Sequence, residues 1–206
     1  MVVMIFEGAD NLGKSTIINK FISDYKDTRD ITMIHSTGPH PEEGEDPFDY
    51  QTRAFKDKAI KVTTIGSLER TLNSTSKNIV ILDRAWHGEY VYGQIYRNGD
   101  PDKIIDMINK NDLIISNLAK VVVIHLKASP EFILKHDDNK SITSTFEKDK
   151  KILSIKREVE LFDECFTKVK VPVLDINVEG ENYNYRDINE IYKDINDGLR
   201  KIKITL

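Results

Sequence analysis

The stretch Phe6-Glu7-Gly8-Ala9-Asp10-Asn11-Leu12-Gly13-Lys14-Ser15-Thr16 constrains this chain more than any other. It follows the apolar run Val2-Val3-Met4-Ile5 and precedes Ile17, Ile18, Phe21 and Ile22 at helical spacing, so it connects a strand to a helix. Gly8, Gly13, Lys14 and Ser15 fit G-x-x-x-x-G-K-[ST]. In such a loop the backbone N–H groups turn inward around phosphate oxygens at a helix N-terminus. The pattern assigns Lys14 to the β- and γ-phosphates and the Ser15 hydroxyl to Mg²⁺. The expected nucleotide-binding set is Gly8, Asn11, Leu12, Gly13, Lys14, Ser15 and Thr16.

Further apolar runs at 31–35, 78–83, 120–127 and 171–176 alternate with helical stretches at 14–25, 47–72, 88–96, 101–118, 130–136, 146–168 and 186–202. With the run at 2–6 they make five strands, and the spacing predicts an α/β fold with a five-stranded parallel sheet and crossover helices. The long second helix carries Gly66, where it could break. Pro130 after Ser129 reads as a helix start. Residues 36–49 hold three prolines and two glycines, which makes them a loop at the carboxyl edge of the sheet, where ligands of open α/β sheets bind. A polar, aperiodic segment follows at roughly 136–150 and reads as a lid.

With 206 residues the chain is expected to form one domain spanning 1–206. No apolar run is long enough to cross a membrane, and Glu7 and Gly8 interrupt the N-terminal run before a signal peptide could form, so a cytoplasmic protein is expected. A single cysteine, Cys165, excludes an internal disulfide and reads as a core residue. The net charge of −4 argues against stable nucleic-acid binding and favours small phosphorylated substrates.

A second constellation stands where the third apolar run ends, at Asp83 and Arg84. A carboxylate there could hold Mg²⁺ while a neighbouring arginine meets phosphate oxygens with two donors. Taken together, Phe6-Glu7-Gly8, Asp10, Gly13-Lys14-Ser15-Thr16, Asp83-Arg84 and Ser129-Pro130-Glu131 resemble the thymidylate kinase and deoxynucleoside (mono)phosphate kinase group of P-loop kinases. The resemblance covers about the first 165 residues. It implies a single-domain P-loop kinase with helices on both faces of the sheet, Mg²⁺ as cofactor and ATP as phosphoryl donor. Lys14, Asp83 and Arg84 would be catalytic, with Ser15 and Asp83 on the metal. Asp10 would lie near the acceptor sugar, and Tyr92 matches the tyrosine that guards its 2′ position. Related kinases are often dimers, so a homodimer is possible. Two departures fall on the acceptor side: Gly88 stands in place of the family's serine, and residues 35–41 replace its Arg-Glu-Pro-Gly.

A nucleoside acceptor presents a neutral hydroxyl that benefits from a base, whereas a nucleotide presents an anionic oxygen that needs cations. Deoxynucleoside kinases resemble one another in a Glu-Pro just after the second strand, and Ser36-Thr37-Gly38-Pro39 stands there instead, which favours a deoxynucleoside monophosphate such as dTMP. The acceptor set is Asp10, Phe48, Arg53, Trp86, Tyr92 and Arg97, with Arg70 a further cation and Lys140 the lid cation facing ATP. The alternatives are a deoxynucleoside kinase whose base is Glu43 or His35, a kinase of DNA ends or modified bases, and a non-catalytic nucleotide switch.

Overall fold

Runs such as Ile79–Asp83 are buried at every position, so they form strands only where both sheet faces are covered. In the computed structural model, which describes residues 1–36, 43–71, 78–138 and 147–206, five strands form one parallel sheet. They are β1 (Val2–Glu7), β2 (Ile31–His35), β3 (Ile79–Asp83), β4 (Lys120–Lys127) and β5 (Val173–Asn177), in the order β2-β3-β1-β4-β5. Met4 of β1 lies level with Ile81 of β3 and Val122 of β4. The edge strand β2 exposes Thr32, Met33 and His35.

Seven α-helices lie among the described residues: α1 (Lys14–Tyr25), α2 (Pro47–Thr71), α3 (Glu89–Arg97), α4 (Pro101–Ser116), α5 (Pro130–Lys135), α6 (Lys148–Lys168) and α7 (Ile188–Lys201). Right-handed crossovers put α1 on one face, because β1 leads leftward to β2, and put the later crossover helices on the other, because each later strand lies to the right. The packing agrees. Phe21 of α1 meets Tyr192 of α7 with ring centroids 4.5 Å apart, while α2 packs on α4 and α3 on α6.

Several helix ends follow from local chemistry. Asp100 caps α4 through the N–H groups of Asp102 and Lys103 with Pro101 in the first turn, and the Ser129 hydroxyl accepts from Phe132 N–H at 3.1 Å. Gly66 does not break α2: the helix runs through it, and Met1 packs there so closely that a Cβ would lie 2.7 Å from the Met1 methyl carbon. The third strand exits into a 3₁₀ turn at Trp86–Gly88 before α3 begins, and β5 starts two residues later than its apolar pattern predicts. Cys165 is fully buried, and burial pushes its thiol pKa up. No described helix is long and apolar enough to cross a membrane.

Candidate active site

The chain leaves β1 toward one face and β3 toward the other, which opens a crevice beyond their carboxyl ends. The loop between β1 and α1 fills that edge. Gly8 turns at φ +135°, and a Cβ on it would sit 2.5 Å from the Leu126 carbonyl oxygen, so only glycine fits. Asn11 and Gly13 follow at φ 60° and 74°, bringing Lys14 to the first position of α1 with Ser15 and Thr16 exposed. The result is a cleft of about 390 Å³ walled by residues 10–16, Arg84, Asp138 and Tyr185.

Lys14 is buried, and its Nζ donates to the carbonyls of Gly8 (2.9 Å) and Ala9 (2.6 Å). Burial, reinforced by the Arg84 charge, pulls its pKa down to about 8. Arg84 holds φ 62°, a conformation uncommon for arginine, and its Nη2 pairs with Asp10 Oδ1. Three contacts fix that turn. Arg84 N–H donates to the Phe6 carbonyl at 3.1 Å, the Ser36 hydroxyl donates to the Arg84 carbonyl at 2.6 Å, and buried Glu7 accepts from Ala85 N–H at 2.7 Å. Asp83, nearly buried, meets His35 Nδ1 through Oδ2 at 2.9 Å.

The structure corrects part of the expected acceptor set. Trp86 walls no pocket: it is fully buried and donates its indole N–H to buried Asp112 of α4 at 2.8 Å, while His87 meets the other Asp112 oxygen at 3.1 Å. Arg97 is not a free cation, because its Nε and Nη2 both donate to buried Glu89 at 3.1 and 2.6 Å. Arg53 is exposed and pairs with Glu45, and Phe48 is half-buried against the core at the start of α2. The Tyr92 hydroxyl is buried with no hydrogen-bond partner among the described residues, and burial, with Asp10 second, holds its pKa well above the usual value. Lys140, the 37–42 part of the loop after β2 and most of the 136–150 lid lie outside the described residues, as does the side chain of Arg70.

Three site residues escape a reading of the sequence. Lys58 of α2 reaches the end of β2, where its Nζ donates to the Ser36 hydroxyl. Tyr185, after β5, donates to the Asn11 carbonyl at 2.6 Å and lays its ring against Gly13. Glu158 of α6 accepts from the Tyr96 hydroxyl at 2.9 Å, and burial, then the Asp10 charge, pushes its pKa up to about 7. For Lys58 and Glu158 the available signal is a charge set inside an apolar helical stripe: Phe55, Ala59 and Val62 flank the first, and Ile155, Leu161 and Phe162 the second.

The raised Glu158 pKa has a testable consequence. A carboxyl at 4.5 in the unfolded chain and about 7 when folded keeps its proton in the folded state, so its contribution to stability is whole below 4.5 and is lost as pH rises through 7. Glu158→Gln, neutral throughout, is expected to melt with the parent protein at about pH 4 and to gain up to roughly 3 kcal/mol over it by about pH 8. Parallel pH profiles of the two melting temperatures would remove Glu158 from this role.

A glycine-bracketed loop after the first of five parallel strands, with Asp-Arg ending the neighbouring third, lies in an α/β fold of the kind seen in solved kinases. Solved structures share it along nearly the whole chain. A polyphosphate kinase 2 from Arthrobacter aurescens superposes with a TM-score of 0.63 at 13% identity, covering 99% of this chain and 69% of that one. The YorR protein of Bacillus subtilis, in complex with phosphorylated GDP, gives 0.58 at 19% identity over 98% and 99% of the two chains. Thymidylate kinase from Ehrlichia chaffeensis gives 0.57 at 19% identity over 96% and 98%. No family model and no curated protein sequence matches the chain.

Proposed function

We propose that this protein transfers the γ-phosphoryl group of ATP to the 5′-phosphate of a deoxynucleoside monophosphate, a pyrimidine such as dTMP, with Mg²⁺. The observation that carries the reading is the convergence of Lys14 and Arg84 on one cleft at the N-terminus of α1. A passive nucleotide sensor has no use for a second strand end that aims an arginine at the phosphate cleft in a left-handed conformation held from three sides. The solved neighbours named as kinases support phosphotransfer, and one of them is a thymidylate kinase.

In this reading residues 8–16 cradle the α- and β-phosphates through backbone N–H groups, and Lys14 exchanges its carbonyl partners for phosphate oxygens. An oxygen of the acceptor phosphate attacks the γ-phosphorus as the bond to the β–γ bridging oxygen breaks and ADP leaves. Lys14 and Arg84 neutralise the charge that gathers on the transferring group. Asp10 orients Arg84 and faces the acceptor sugar with Tyr92. Ser15 and Asp83 are hard oxygen donors suited to Mg²⁺, which takes one or two protein oxygens beside those of phosphate, and no cluster of three metal-ligating side chains exists among the described residues. Mg²⁺ would add charge neutralisation at the phosphates. Asp83→Asn is expected to weaken Mg²⁺ activation about tenfold or more. An unchanged metal titration in that variant removes Asp83 from the metal's ligands.

One observation favours a second reading. His35 stands at the end of β2 with its imidazole oriented by Asp83, where a base for a nucleoside 5′-hydroxyl could act. A coupled ADP-release assay across all deoxynucleosides and their 5′-monophosphates, with product masses, separates the two. Turnover of a monophosphate supports the first, turnover of nucleosides alone supports the second, and silence across the panel rejects both.

A further inference from the structure

We infer that Lys58 is the cation that receives the acceptor's phosphate group, and therefore the residue that selects a nucleotide over a nucleoside; the inference rests on the kinase reading above. An anionic acceptor approaching an anionic donor needs positive charge between them. Three arginines near the acceptor side are already committed. Arg53 pairs with Glu45 on the surface, Arg97 is clamped to buried Glu89, and Arg84 pairs with Asp10 on the donor cleft. Lys58 stands apart from them: among the described residues it forms no ion pair, and its only hydrogen-bond partner is the Ser36 hydroxyl.

Its position is built rather than incidental. Lys58 lies on the inner stripe of α2 beside Phe55 and Ala59, and its Nζ passes over the Phe55 ring at 5.8 Å to reach the carboxyl edge of the sheet. There the Ser36 hydroxyl accepts from Lys58 and donates to the Arg84 carbonyl, so one hydroxyl links the ammonium to the turn that carries Arg84. An ammonium group has three donors, and Ser36 uses one, which leaves two for phosphate oxygens. Burial lowers the Lys58 pKa to about 8, against the pull of Glu7 and with help from Lys61, so the group is charged at neutral pH yet poorly solvated. A phosphate completes its solvation; an uncharged hydroxyl does not.

The test is equilibrium binding by calorimetry, using the four deoxynucleosides and their 5′-monophosphates as probes, for the parent protein, Lys58→Met and Lys58→Arg. The methionine variant is expected to lose about thirtyfold or more in affinity for the preferred monophosphate, with affinities for the matching nucleoside and for ATP unchanged. Lys58→Arg is expected to recover most of that loss, since the charge returns. Equal weakening of nucleoside and monophosphate, or no weakening, overturns the assignment. So does a Lys58→Arg variant that binds normally but loses turnover of nucleosides, which would make Lys58 a base. Because the readout is a ratio of affinities, it stands apart from turnover: a parent protein that binds monophosphates through Lys58 but phosphorylates none defeats the kinase reading and leaves this one supported.

Discussion

Replacing Lys14 with alanine is expected to cut turnover by about three orders of magnitude or more while the folded protein stays as stable as before, or gains stability, at pH 7. The two effects have one cause. A lysine whose pKa falls from 10.5 unfolded to about 8 folded contributes stability that is present above 10.5 and lost as pH falls through 8, so at neutral pH its buried charge costs up to roughly 3 kcal/mol. The hydrogen bonds to Gly8 and Ala9 return part of that. In the proposed reaction a triphosphate would supply the missing counter-charge, which would concentrate the value of Lys14 there. Thermal melts at pH 7 and single-turnover rates on the same preparation check both halves. A variant with near-parent rates would break the assignment of Lys14, and one that is inactive because it is unfolded would break the stability argument.

Gly8→Ala is expected to cost about 3 kcal/mol or more in folding stability and to abolish nucleotide binding in whatever folds. Its added Cβ would meet the carbonyl oxygen of Leu126 at 2.5 Å and the Leu12 side chain at 3.0 Å, and φ +135° is strained for any L residue with a side chain. The nearer of these obstacles is backbone of β4, which cannot yield without disturbing its pairing with β5, where Leu126 lies level with Ile176. Gly13→Ala is the control. Its φ of 74° is also left-handed, but the nearest atom to an added Cβ is Tyr185 at 3.5 Å, so a much smaller loss is expected. Urea denaturation of both variants measures the difference, and equal losses would show that strain alone, not the approach of β4, governs Gly8.

What the sequence makes legible is chemistry carried by consecutive residues. The loop from Gly8 to Thr16 can be read because its glycines, lysine and hydroxyls serve one purpose within nine positions. Asp83 and Arg84 can be read because an apolar run ends on them. The three inner strands β1, β3 and β4 are legible for the same reason, since a strand buried on both faces is a local pattern. Trp86 misleads because an aromatic beside a strand end looks like a pocket wall, while the partner that buries it, Asp112, lies 26 residues away on another helix. Arg97 misleads in the same way, its fork already closed on Glu89. Lys58, Glu158 and Tyr185 enter the site through packing of elements far apart in the chain, and only the charges interrupting the apolar stripes of α2 and α6 betray two of them.

The hydrogen bond from Tyr185 to Asn11 spans 174 positions of sequence. A ribosome releases the loop long before the residue that braces it. Until Tyr185 emerges and β5 docks beside β4, the nascent chain has the loop's sequence but not its bracing. Closing contacts of such long range also slow the final folding step relative to a chain stitched from neighbours. The bracing of the loop thus arrives together with completion of the sheet.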